Sequence, residues 1–124
     1  MDQKRKRILV VDRSEQIRKL LTETLDEAGF DVVEASSGED ALHEITGCPA
    51  DMIIGDLDLP GLSGVELIHQ IRSREGNRFV PIIMLTVEDA VASREQGKAA
   101  GISGWLVKPF RPENVLSIVD LISK

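Results

Sequence analysis

Five short apolar runs recur along the chain, most of them continuous rather than alternating: Ile8 to Val11, Val32 with Val33, Met52 to Ile54, Pro81 to Leu85, and Trp105 to Val107. A short run without a polar face suits a strand buried on both sides, as in a parallel sheet covered by helices. The intervals between the runs carry helical periodicity. Ser14 is a candidate N-cap, with Ile17, Leu20, Leu21, Leu25 and Ala28 on one face and Gly29 as the stop. Ser36 with Glu39 has capping-box spacing before Ala41, Leu42 and Ile45, and Gly47 closes that segment. Ser63 with Glu66 repeats the signal ahead of Val65, Ile68 and Ile71. Pro112 suits the first turn of a last helix with Val115, Leu116, Val119 and Ile122 inward. The interval Glu88 to Ala100 is alanine-rich, contains Gly97 and offers only Val91 as a sizeable anchor, so it predicts a marginally held helix. Strands alternating with helices throughout predict an α/β domain of (βα)5 type, its parallel sheet covered on both faces. We expect one domain over residues 1–124, with 1–7 as a basic lead-in.

Composition supports a self-sufficient core. The 124 residues are 42% hydrophobic and 29% charged, ordinary for a globular domain of this size. The single cysteine, Cys48, has no internal disulfide partner and is expected to be a small, buried or half-buried residue in a reducing compartment. No apolar stretch is long enough to span a bilayer, and the opening MDQKRKR lacks the apolar segment of a signal peptide. A cytoplasmic location with no membrane partner is therefore expected. The net charge of -6 argues against nucleic acid as a direct partner, and the basic run Lys4 to Arg7 reads as a solvated lead-in rather than a binding arm.

Open α/β sheets place their sites outside the carboxyl ends of the strands. The first run ends at Asp12 and Arg13, the third at Asp56, the fourth at Thr86 and the fifth at Lys108; the second ends at Glu34 and Ala35, read as the start of a loop with no role. Taken singly, each has an ordinary reading: a turn aspartate, a helix-capping threonine, a surface lysine. Together, two carboxylates, a hydroxyl and an amine can hold Mg²⁺ and manage phosphoryl transfer, with an aspartate as nucleophile and a cation on the transferred oxygens.

The segments ILVVD, DMIIGDLDLPGLSGVEL, PIIMLT and GWLVKPF, in this order and spacing, make the chain resemble the receiver domain of two-component response regulators, the CheY-like family, over essentially its full length. The resemblance implies a doubly wound, flavodoxin-like sheet with strand order 2-1-3-4-5. It implies Asp56 as phosphoacceptor, charged by the phosphohistidine of a sensor histidine kinase or phosphotransfer protein. It implies Asp12, Asp56 and the backbone carbonyl of Asp58 as Mg²⁺ ligands, with Thr86 and Lys108 on the phosphoryl oxygens. Trp105 stands at the aromatic switch position and would move with Thr86, and the Lys108–Pro109 bond is implied to be cis. Asp58 and Glu88 occupy positions that influence phosphoryl lifetime in similar domains. Output would pass through the face made by the helix at 88–100, the fifth strand and the last helix, to a downstream protein; a homodimer is left open. The chain would be a regulatory phosphoacceptor that assists its own phosphorylation and dephosphorylation, not an enzyme acting on a separate substrate. His43 and His69, on helix surfaces, are read as solvent-facing rather than as phosphotransfer residues.

The chain departs from the family at Arg13, where a second acid normally ligates the metal. A guanidinium has donors and no lone pair, so it cannot coordinate Mg²⁺. Three arrangements remain open: Arg13 pairs with Asp56 in place of the metal, turns outward and leaves a weaker metal site, or binds the phosphoryl group directly. The first would suit a docking module that works without phosphorylation. A remoter alternative takes DLDLPG as the DxDx motif of haloacid-dehalogenase-type phosphatases, with Asp56 as nucleophile and Asp58 as general acid. That reading needs the motif after the first core strand and a further acidic motif after the lysine, where only Glu113 and Asp120 remain.

Overall fold

The computed structural model describes residues 5–46, 48–56, 62, 64–74, 78–87 and 101–123. In chain order the elements are β1 (Arg7–Val11), α1 (Glu15–Glu27), β2 (Asp31–Ala35), α2 (Gly38–Ile45), β3 (Met52–Asp56), α3 (Gly64–Ser73), β4 (Ile82–Val87), β5 (Gly104–Lys108) and α4 (Pro112–Ser123). All strand pairings are parallel, and the sheet order is β2-β1-β3-β4-β5. The apolar runs predict this parallel sheet, and its strand order is the one that the family resemblance implies. The helix anticipated over 88–100 lies outside the described residues, as do Ser63 and Gly47.

Strand alternation divides the core in two. Leu9, Val11, Ile53, Ile82 and Met84 face α2 and α3, where they meet Ala41, Ile45, Leu67, Ile68 and Ile71. Ile8, Val10, Met52, Ile54, Ile83, Leu85 and Leu106 face α1 and α4, where they meet Leu21, Leu25, Val115 and Val119. The sheet reaches α4 closely at Gly104: a Cβ there would lie 3.2 Å from both Ile118 Cδ1 and Ile122 Cδ1. On α4, Leu116 is exposed, and Ile118 joins Ile122 against the core in its stead. β2 departs from the continuous-burial pattern because it is an edge strand, and its Val32 and Val33 are only half-buried.

Several local expectations hold and others shift. Ser14 caps α1, its hydroxyl accepting from the Ile17 N–H, and Gly29 follows the helix with φ of +98°, a conformation open to glycine. Pro112 opens α4, and the Asn114 side chain accepts from the Arg111 N–H. The cap of α2 is Ser37, which accepts from the Asp40 N–H, while the Ser36 hydroxyl donates to the Asp40 carboxylate. The chain turns one residue later than the Ser36–Glu39 spacing suggests, because β2 runs on to Ala35 and Glu34 lies within it rather than in a loop. Cys48 is exposed, correcting its expected burial: it lies in the connection between α2 and β3, not on an inward helix face. The basic lead-in is also more than solvated. Arg5 donates to the carbonyls of Gly29 and Phe30, both at 2.9 Å, between α1 and β2, and to the Asp26 carbonyl in the last turn of α1 at 3.3 Å. Arg7 opens β1, donates its N–H to Asp51 at 2.7 Å and sets its guanidinium against the Cys48 carbonyl and thiol.

Candidate functional site

Register brings the strand ends together. Val11 of β1 pairs with Gly55 of β3, and Asp56 pairs with Leu85 of β4, so Asp12, Asp56 and Thr86 stand at one edge of three neighbouring strands. Lys108 ends β5, level with Val87. The period of two carries Asp12, Asp56 and Lys108 onto the side of Val10, Ile54 and Leu106, whereas Thr86 and Trp105 share the opposite side with Met84. A lysine stem is long enough to cross from β5 over β4. The Lys108 Nζ donates to Asp12 Oδ2 at 2.8 Å and to Asp56 Oδ2 at 2.7 Å.

Burial gives this bridge its weight. The side chain of Asp12 is 1% exposed, that of Asp56 14% and that of Lys108 21%. Desolvation alone would lower the pKa of the Lys108 ammonium. The hydrogen bonds to Asp12 and Asp56, with the charges of both carboxylates, together outweigh it and hold the pKa above the usual lysine range. Asp12 is fixed further by backbone groups: its N–H donates to Ala35 O at 3.1 Å, and its Oδ1 accepts the Ser14 N–H at 2.8 Å. That last bond closes a turn around Arg13, an exposed residue. Among the described residues, Lys108 is a cation seated on Asp56.

Thr86 is 6% exposed and pairs with Val107, placing it diagonally across from Trp105, the partner of Met84. Trp105 is half-buried against the α2–α3 side of the core, and Lys108–Pro109 is cis. His43 and His69 are exposed. Asp58 and Glu88 lie outside the described residues. Two participants went unread in the sequence. Arg18 donates to the Asp12 carbonyl at 2.7 Å and to Glu34 Oε1 at 3.2 Å, although Glu34 was assigned no role. The only local signal for Arg18 was its place one helical turn beyond the Ser14 cap.

Chemically, among the described residues the pocket pairs the carboxylates of Asp12 and Asp56 with the Lys108 ammonium. Two hard oxygen donors suit Mg²⁺, so among the described residues Asp12 and Asp56 are the side chains fitted to hold it, while Arg13 can contribute no ligand. Asp56 also closes the third strand in chain order, which does not meet the first-strand placement that the phosphatase reading requires.

Comparison with known proteins agrees with this geometry. The family model described as "Response regulator receiver domain" matches residues 8–120. The alkaline phosphatase synthesis transcriptional regulatory protein PhoP of Bacillus subtilis is 38% identical over 94% of this chain and 48% of its own length. The transcriptional regulatory protein ResD of the same organism is 39% identical over 89% of this chain and 45% of its own. The chain thus spans about half the length of the curated relatives it matches. Among solved structures, the chemotaxis response regulator CheY4 of Vibrio cholerae superposes with a TM-score of 0.91 at 37% identity, covering 96% of this chain and 99% of that one. No helix among the described residues is long and apolar enough to cross a membrane.

Proposed function

The chain belongs to the response regulator receiver domain family, and we propose that Asp56 is the residue on which it accepts a phosphoryl group. Receiver domains interact with histidine kinases, and the donor assigned here is the phosphohistidine of such a kinase or of a phosphotransfer protein. A carboxylate oxygen of Asp56 attacks phosphorus and the P–N bond to the imidazole breaks. The ring nitrogen keeps the bonding pair and takes up a proton, leaving an acyl phosphate on Asp56. The Lys108 ammonium, already on Asp56, stays with the oxygens on which negative charge gathers, and Asp12 keeps it there. Thr86 supplies a hydroxyl to the phosphoryl group from the neighbouring strand. Its displacement would be felt at Trp105 on the same face and passed on through segment 88–100, β5 and α4. In the reverse direction a water attacks phosphorus and the Asp56 carboxylate leaves; Asp58 and Glu88 are assigned to the control of that step.

Receiver domains generally bind Mg²⁺ at the phosphorylation site. In this chain Asp12, Asp56 and the Asp58 carbonyl would hold the ion, which when bound neutralises charge on the phosphoryl oxygens. Arg13 in place of a second acid weakens that site, because it removes a ligand and adds a positive charge. The PhoP and ResD proteins of Bacillus subtilis are named as transcriptional regulators. For the residues of this chain we assign output to a protein contact rather than to nucleic acid, on its net charge of -6.

The observation that carries this reading is the single ammonium shared by a buried and a near-buried carboxylate at adjoining strand ends. It is tested by intact mass after incubation with acetyl phosphate, with and without Mg²⁺, using Asp56→Asn as control. One phosphoryl adduct that requires Mg²⁺ and is absent from the control is expected. A folded protein that takes up nothing under any metal condition would favour the second reading, a docking module in which the cation at Arg13 has displaced metal chemistry.

A further inference from the structure

We infer that Arg18, braced by Glu34, is a positioning residue for the phosphoacceptor pocket, holding the Asp12–Arg13 peptide so that Asp12 and Arg13 are presented at fixed positions. This deepens the function proposed above and rests on it. The guanidinium of Arg18 is divided between two partners: Nη1 donates to the Asp12 carbonyl at 2.7 Å, and Nε donates to Glu34 Oε1 at 3.2 Å. Its side chain is 17% exposed, against 42% for Glu34. The brace comes from the edge strand β2, whereas Arg18 belongs to α1, so the clamp ties the site turn to two elements at once. On the far side of Arg13, the Ser14 N–H is held by Asp12 Oδ1 at 2.8 Å. The backbone groups on both sides of Arg13 are therefore fixed by other residues, and neither bond depends on the side chain at position 13. A cation can stand there without disturbing the acid beside it. A lysine at position 18 has one ammonium where arginine has a fork, so it could hold the carbonyl or the brace less well than arginine holds both.

An isolated ion pair on a helix surface contributes little, and a merely structural Arg18 would change stability alone. The test therefore reads the turn and the chemistry separately in Arg18→Met, Arg18→Lys and Glu34→Gln. The turn is read by amide hydrogen exchange at Ser14 without phosphodonor, and the chemistry by the rate of adduct formation against acetyl phosphate concentration with Mg²⁺. In Arg18→Met, Ser14 exchange should accelerate and the maximal phosphorylation rate should fall, each by about tenfold, with the half-saturating donor concentration changed by less than about twofold. Arg18→Lys should recover part of both, and Glu34→Gln should fall between it and the wild type. Wild-type exchange and wild-type rate in Arg18→Met would overturn the assignment, as would a rate loss with Ser14 exchange unchanged. If Arg18→Met does not fold, Glu34→Gln decides by the same two readouts. If the wild type takes up no phosphoryl group, the function above fails, and Ser14 exchange alone decides whether Arg18 holds the turn.

Discussion

Lys108 is the residue on which the pocket's electrostatics turn, since its ammonium lies between two carboxylates, one of them 1% exposed. Lys108→Met removes the ammonium that Asp12 and Asp56 share. The expected loss of stability at neutral pH is about 1–2 kcal/mol, below the range for fully buried pairs because Lys108 and Asp56 keep some contact with water. Denaturant unfolding should show that deficit. The dependence on pH follows from the raised pKa of Lys108. Its contribution is complete below the ordinary lysine value of 10.5 and disappears as pH climbs through the higher folded-state value. Wild-type stability should therefore fall more steeply than that of Lys108→Met in the alkaline range above 10.5, and the two curves should converge. Parallel curves through that range would mean that the bridge contributes nothing.

At the level of elements, the informative case is the start of α2. Ser36 and Ser37 are both plausible caps by type, and the sequence spacing to Glu39 favours Ser36. Only Ser37 accepts from a backbone N–H of the helix, that of Asp40, while Ser36 bonds to the Asp40 side chain. Thermal unfolding should accordingly show Ser37→Ala costing about 1 kcal/mol. Ser36→Ala should cost less, about 0.2–0.5 kcal/mol, the scale of an exposed side-chain pair four residues apart. A larger loss from Ser36→Ala than from Ser37→Ala would return the cap to the earlier serine. The choice depends on where β2 ends, and that is set by its register with β1, in which Val11 pairs with Ala35. A capping pattern read locally has no access to that register.

For the molecule as a whole, the proposed function requires that events at the strand ends reach the opposite side of the sheet. Trp105 reports on this directly, because it is the one tryptophan of a chain without tyrosine. Acetyl phosphate should alter its fluorescence in the wild type and leave Asp56→Asn unchanged. An adduct seen by mass with no change in emission would break the link from Thr86 to Trp105. Much of the architecture was legible beforehand. A strand covered on both faces leaves a continuous apolar run, and a helix packed on a sheet leaves a stripe, so burial wrote the five strands and most helix faces into neighbouring residues. The residues that close the strands were legible too, because they stand where those runs stop. The bridge itself was not, for Lys108 lies 96 residues from Asp12 and 52 from Asp56. Nor were the Arg18–Glu34 clamp, the ties made by Arg5 and Arg7, or the exposure of Cys48. The sequence by itself determined which segments are strands and what chemistry ends them, since those are properties of adjacent residues. Tertiary structure alone decided which carboxylates share a cation and what holds the turn at Arg13, since hydrogen bonds form between atoms brought within about 3 Å by strand order and register, whatever their separation along the chain.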